Sequence, residues 1–135
     1  MKYLITGRAR IEAGISPQEP YIVISIRDPG RRHANIKSKP RDVLYLSFDD
    51  AERVEGLPVH SDVLLMTEAQ ARLAWRFFRR YQGEIATLVC HCEMGKHRSP
   101  ALAAALCKGS GGEDAGFFTR FQPNMYVYRL MLSSL

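Results

Sequence analysis

The pattern of apolar and polar positions divides the chain into short strand-like runs and longer helical ones. Tyr21-Ile22-Val23-Ile24-Ser25-Ile26 is rich in β-branched residues and runs into Asp28-Pro29-Gly30, so it predicts a strand ended by a turn. Val43-Leu44-Tyr45-Leu46-Ser47-Phe48 predicts a second strand, ended by Asp49-Asp50. Ile85-Ala86-Thr87-Leu88-Val89-Cys90-His91 is apolar almost throughout, the pattern of a strand buried on both faces in a parallel sheet. Residues 49–66, with Gly56, Pro58 and Ser61, read as a loop.

Helical spacing appears in the second half. Thr67 followed by Gln70 is a capping-box pattern. Ala69, Leu73, Phe77 and Tyr81 then recur every fourth position, widened by Ala74 and Phe78, which predicts a helix over 67–82 ended near Gly83. Ser99 to Cys107 is Ala- and Leu-rich, tolerates Pro100 in its first turn and meets Gly109-Ser110-Gly111-Gly112 as a stop. Two short helices are expected over 113–121 and 124–134, with Phe117, Phe118, Phe121, Val127, Leu130 and Met131 as buried-face candidates. This order predicts an α/β fold, a central mostly parallel sheet flanked by helices. With no repeat and no long linker, residues 1–135 are expected to form one domain.

Composition narrows the picture. The 135 residues are 46% hydrophobic and 24% charged, which excludes a largely disordered chain. No apolar run reaches the ~18 residues of a membrane helix. Met1 to Gly7 is too short an apolar stretch for a signal peptide, so the expected location is cytoplasmic and no membrane partner is expected. Nineteen Lys and Arg against 14 Asp and Glu give a net charge of +5, which favours anionic partners. Much of this lies in 27–42, a basic loop with Arg27, Arg31, Arg32, Lys37, Lys39 and Arg41 against Asp28 and Asp42. The three cysteines, Cys90, Cys92 and Cys107, make a poor disulfide framework and are expected to be thiols.

The chemistry concentrates in His91-Cys92-Glu93-Met94-Gly95-Lys96-His97-Arg98-Ser99, between the buried strand and the Ala-rich helix. A loop from Cys92 to Arg98 can turn its backbone N–H groups toward an anion, and the helix behind it adds its positive end. The same field favours the Cys92 thiolate, an in-line nucleophile toward phosphorus. Arg98 can grip two phosphoryl oxygens in a bidentate pair. Gly95 permits a tight turn, Ser99 can donate to the sulfur, and His91 can orient the loop through its ring nitrogens. Glu93, Met94, Gly95, Lys96 and His97 would supply the backbone lining around the phosphate, and the site would take phosphate, sulfate or vanadate. Arg27 is a supporting candidate at the end of its strand.

His91-Cys92 through Arg98-Ser99 resembles the His-Cys-x5-Arg-Ser signature of cysteine-dependent protein tyrosine phosphatases, in the version of small bacterial or phage dual-specificity-like members. Weaker similarities are Ser25-Ile26-Arg27-Asp28-Pro29, Phe48-Asp49-Asp50 and Gln122-Pro123-Asn124-Met125-Tyr126, so the resemblance spans most of 21–131. It implies a phosphotyrosine phosphatase-like fold and a two-step hydrolysis of a phosphorylated protein or other phosphomonoester through a phosphocysteine. Cys92 would be the nucleophile and Arg98 the phosphate binder, with Ser99 assisting the sulfur. An aspartic acid on a separate loop would protonate the leaving oxygen and then activate water; the matching pair is Asp49 and Asp50, with Asp50 preferred. No metal or other cofactor is implied. His97 stands where the family usually carries a small residue, so its side chain must either point outward or crowd the loop. Glu93 beside the nucleophile disfavours polyphosphorylated inositol lipids, and the short chain implies a shallow pocket. Two alternatives follow from the same residues: a phosphate-binding pseudophosphatase without a working acid, and an RNA 5′-phosphatase, nucleic acid being the less favoured partner.

Overall fold

Four parallel strands carry the fold in the order β1-β4-β2-β3: β1 (Lys2–Gly7), β2 (Tyr21–Arg27), β3 (Asp42–Ser47) and β4 (Thr87–Cys92). The helices are α1 (Arg8–Ala13), α2 (Glu68–Tyr81), α3 (Arg98–Gly109), α4 (Ala115–Arg120) and α5 (Met125–Ser133). The structure, a computed structural model, describes residues 1–53 and 56–135. The expected loop over 49–66 holds no helix or strand among its described residues, and Val54 and Glu55 lie outside them.

The two central strands read as the sequence predicts. In β4 every residue is buried, and in β2 all but Arg27 are. Their side chains alternate between two cores. Ile22, Ile24, Ile26, Leu88, Cys90 and Cys92 join α2, α3 and α5 on one face. Val23 and Val89 join Ile11 of α1 and Ala34 on the other. Burying each such aliphatic side chain contributes about 1.5–3 kcal/mol, so a sheet covered on both faces supplies most of the cohesion.

Residues 2–13 form β1 and α1, which the sequence pattern did not predict. As an edge strand β1 is only partly buried and shows no clean alternation, and it passes into α1 without a loop. The basic segment after β2 is indeed a loop, but it also covers the second sheet face, with Ala34 buried and Ile36 packed beside it. In α2 the capping box forms, with Thr67 accepting from the Gln70 N–H, but the buried face is Ala71, Ala74, Trp75, Phe78 and Tyr81. Leu73 is exposed and Ala69 faces solvent. Trp75 sets this rotation: its Nε1–H donates to the Met131 carbonyl at 2.7 Å and its ring fills the space beside Gly109. Of the C-terminal candidates, Val127 and Met131 are buried, Phe118 is exposed, and α4 buries no residue. Among the described residues, no helix is long and apolar enough to cross a membrane.

Candidate active site

Parallel strands bring their carboxyl ends to one edge of the sheet, where ligand crevices of α/β folds lie. Here that edge collects Arg27 at the end of β2 and Asp28 just after it, Phe48 to Asp50 after β3, and Cys92 at the end of β4. The chain then turns through residues 93–97 and enters α3 at Arg98. Gly95 makes the turn possible, with φ +71°, and a Cβ there would stand 2.6 Å from the Thr6 carbonyl carbon and 2.7 Å from the Gly7 nitrogen. Backbone therefore packs on backbone where the loop crosses the end of β1.

The polarity of this loop is one-sided. Three of its carbonyls are tied to flanking elements: Glu93 O accepts from the Arg8 N–H at 3.0 Å, Lys96 O from Gln122 at 3.1 Å, and His97 O from Asn124 at 2.9 Å and Ala101 at 3.2 Å. Among the described residues, no main-chain N–H from Met94 to Arg98 has a protein acceptor. A row of free amides at the start of a 12-residue helix is the kind of arrangement that favours an anion.

Cys92, 2% exposed, ends β4 just before this loop. Its Sγ is 3.1 Å from Ser99 Oγ, so the hydroxyl can donate to the sulfur. His91 is wholly buried; its Nδ1–H reaches the Cys92 carbonyl at 3.3 Å, and its Nε2 accepts from Ser25 Oγ at 2.6 Å. Burial is the main reason its pKa falls from 6.5 to about 4, and the ring is a neutral brace at pH 7. Cys90 is also fully buried, and desolvation followed by the neighbouring Cys92 charge pushes its thiol well above the ordinary range.

Arg98 is 4% exposed, and one terminal nitrogen holds it. Nη1 donates to the Phe48 carbonyl at 2.8 Å and lies 2.8 Å from Asp28 Oδ1. Nε is buried without a partner among the described residues. The Nε–Nη2 edge is thus the part of the fork left for a ligand, the geometry of a bidentate oxyanion grip.

The two aspartates separate. Asp49 holds its own loop, its Oδ2 accepting from the Leu64 N–H at 2.8 Å. Asp50 faces the loop after β4: its Oδ2 is 2.6 Å from His97 Nδ1, and its Oδ1 accepts from Asn124 Nδ2 at 3.0 Å. The His97 side chain therefore points outward, toward Asp50. Glu93 pairs with Arg31 at 2.7 Å, which neutralises much of the charge beside Cys92, while its Oε2 is buried without a partner among the described residues. Met94 is 67% exposed, and Lys96 is exposed with no ion pair among the described residues. Arg27, the last residue of β2, is partly buried, with its Nε unpartnered among the described residues.

Three residues with structural parts here were not singled out as site residues from the sequence. Asp28 looked like part of a turn, and its part here comes from its contact with Arg98. Asn124 caps α5, accepting from the Val127 N–H at 3.1 Å, and reaches across to Asp50. Arg8 is buried and donates to the carbonyls of Arg32 and His33 at 2.9 and 3.2 Å, tying the basic loop to the residue that holds Glu93 O. Among the described residues, no group of three or more His, Cys, Asp or Glu side chains is arranged to hold a metal.

No protein-family model matches the chain, and no curated protein matches it. Among solved structures, the chain is similar to the crystal structure of human tyrosine phosphatase-like serine/threonine/tyrosine-interacting protein. The two are 19% identical, with a TM-score of 0.51 over 84% of this chain and 75% of that one. The four-stranded parallel sheet flanked by helices is therefore an α/β fold of tyrosine phosphatase-like type.

Proposed function

We propose that the chain is a cysteine-dependent phosphomonoesterase of the protein tyrosine or dual-specificity type, acting in the cytoplasm on a phosphorylated protein or another phosphomonoester. The observation that carries this reading is the loop itself: the carbonyls of Glu93, Lys96 and His97 tied to flanking elements, the amides from Met94 to Arg98 without a protein acceptor among the described residues, and the Cys92 sulfur 3.1 Å from Ser99 Oγ at the head of α3. Free amides and the open edge of Arg98 suit three phosphoryl oxygens, whose charge is shared over donors that need no rearrangement.

In the first step Cys92 Sγ attacks phosphorus, the ester P–O bond breaks, and Asp50 gives its proton to the leaving oxygen. In the second, water attacks the phosphocysteine, its proton passes to Asp50, and the sulfur leaves as a thiolate stabilised by the Ser99 hydroxyl. Asp50 suits the acid role better than Asp49, because Asp49 is spent on the Leu64 amide while Asp50 borders the loop. Glu93, Met94, Gly95, Lys96 and His97 contribute main chain around the phosphate, and Arg27 supports the rim.

Hydrolysis of an aryl phosphate in the presence of EDTA tests the reading. Wild type should turn over, Cys92→Ser should be inactive, and Asp50→Asn should fall by roughly 10²–10⁴ on a substrate with a poor leaving group. Binding of vanadate without turnover would favour a phosphate-binding module instead. Activity surviving in Cys92→Ser would refute the mechanism.

A further inference from the structure

We infer that the His97 side chain is a positioning residue for Asp50, and that it tunes proton delivery to the leaving group; the inference rests on the phosphatase reading above. His97 occupies an unusual place: its main chain belongs to the phosphate-facing loop, while its ring belongs to the acid. The carbonyl is fixed by the amides of Asn124 and Ala101 at 2.9 and 3.2 Å, which leaves the Cα little freedom. From that anchor the ring leans outward, and Nδ1 lies 2.6 Å from Asp50 Oδ2.

Asp50 needs such a tether. It stands in the segment after β3, and its residue is exposed. Its carboxyl is held at two points among the described residues, His97 Nδ1 on one oxygen and Asn124 Nδ2 on the other. Asn124 is itself rigid: it is 4% exposed, caps α5, and also donates to the Ala51 carbonyl at 3.0 Å. Asn124 and His97 are joined through the Asn124 N–H and the His97 carbonyl, so the carboxyl, the turn before α5 and the loop after β4 form one braced unit. The nearby Glu52 carboxylate is engaged elsewhere, accepting from the Met125 N–H.

Two contacts fix a carboxyl plane; one contact lets it swing. Losing a fixed near-attack geometry costs rate even when the reacting group remains. The His97 contact also has the right sense during reaction. When Asp50 gives its proton to the leaving oxygen it becomes a carboxylate, and an Nδ1–H···Oδ2 bond to a carboxylate is stronger than one to the neutral acid. The contact therefore favours the transition state over the ground state, most where proton transfer is most advanced, with leaving groups that are poor anions.

The test is kcat/KM for 4-nitrophenyl phosphate against phenyl phosphate, the second having the poorer leaving group. In His97→Ala the ratio of the two should rise about tenfold over wild type, a part of the 10²–10⁴ that a general acid contributes. His97→Asn, which keeps a short donor, should recover part of the difference. On an Asp50→Asn background, His97→Ala should add less than about twofold on phenyl phosphate, because the group it positions is gone. An unchanged ratio in His97→Ala, a lowered one, or a full additive loss in the double variant would overturn the inference while leaving the phosphatase reading intact. Absence of any Cys92-dependent turnover in wild type would remove both together.

Discussion

Asp28 Oδ1 lies 2.8 Å from Arg98 Nη1, and the same nitrogen donates to the Phe48 carbonyl at 2.8 Å. One end of the guanidinium is thereby pinned, and the Nε–Nη2 edge keeps a single orientation. The pair is not a large source of stability, since the Asp28 side chain is 43% exposed and water screens it. Its effect is geometric. Asp28→Ala leaves Arg98 held, among the described residues, by the Phe48 carbonyl alone, so kcat/KM for an aryl phosphate should fall about tenfold, with folding stability changed by less than about 1 kcal/mol. Asp28→Asn keeps the Oδ1 acceptor and should fall between the two. Steady-state kinetics beside urea melts separates this from a folding defect.

Gly95 gives a second prediction with a different origin. Its φ of +71° disfavours any side chain, and an added Cβ would meet the Thr6 and Gly7 backbone at 2.6–2.8 Å. Backbone cannot rotate away as a flexible side chain does, so β1 or the loop must shift. Gly95→Ala should cost more than about 1–2 kcal/mol in stability and remove phosphate or vanadate binding with it. Thermal melts with and without vanadate read both effects; a variant that melts like wild type and is still stabilised by vanadate contradicts the packing argument.

These two cases also mark where sequence reading succeeds and stops. The strand, loop and helix from Thr87 to Gly109 were legible because local signals agree: a continuous apolar run, a glycine at the turn, an Ala-rich helix behind it. The Thr67–Gln70 capping box was legible for the same reason, being complete within four residues. Asp28 was not, because its meaning lies in Arg98, a partner brought near only by the parallel pairing of β2 with β4. The rotation of α2 escaped because Trp75 answers to the Met131 carbonyl on α5, not to its own helix. β1 and α1 escaped because an edge strand running straight into a six-residue helix has neither alternation nor a side-chain cap to announce it. The direction of the His97 ring is a matter of which neighbour it meets, and no spacing rule contains that.

Ser99 Oγ at 3.1 Å from Cys92 Sγ predicts an effect confined to one half of the reaction. The sulfur is a nucleophile in the first step and a leaving group in the second, and a donated hydrogen bond helps it leave. Ser99→Ala should slow the second step by about 10²–10³ while the first proceeds, the scale expected for one lost donor to a developing charge. Stopped-flow traces should then show a burst of released aryl alcohol, stoichiometric with enzyme, before a slow steady state. A loss without a burst would mean that Ser99 serves attack, not departure.

His91 predicts how stability follows pH. The ring is buried between Ser25 and the Cys92 carbonyl, and desolvation is the leading cause of a pKa lowered from 6.5 to about 4. The unfolded chain therefore binds the proton first as pH falls. The folded state keeps its full advantage from the neutral ring above about pH 6.5 and loses it progressively as pH drops toward 4. Integrated between pH 7 and pH 5, a shift of this size corresponds to about 2 kcal/mol of lost stability. That window lies mostly above the ordinary range of carboxylates, so other acid-linked losses contribute less there. Urea unfolding at pH 7, 6 and 5 should show the decline, and NMR of the histidine rings should show His91 still neutral at pH 5 while the protein is folded. A His91 ring that titrates near 6.5 in the folded protein, with stability flat across the window, would mean that the Ser25–His91 brace admits a proton freely and does not hold the loop in one form.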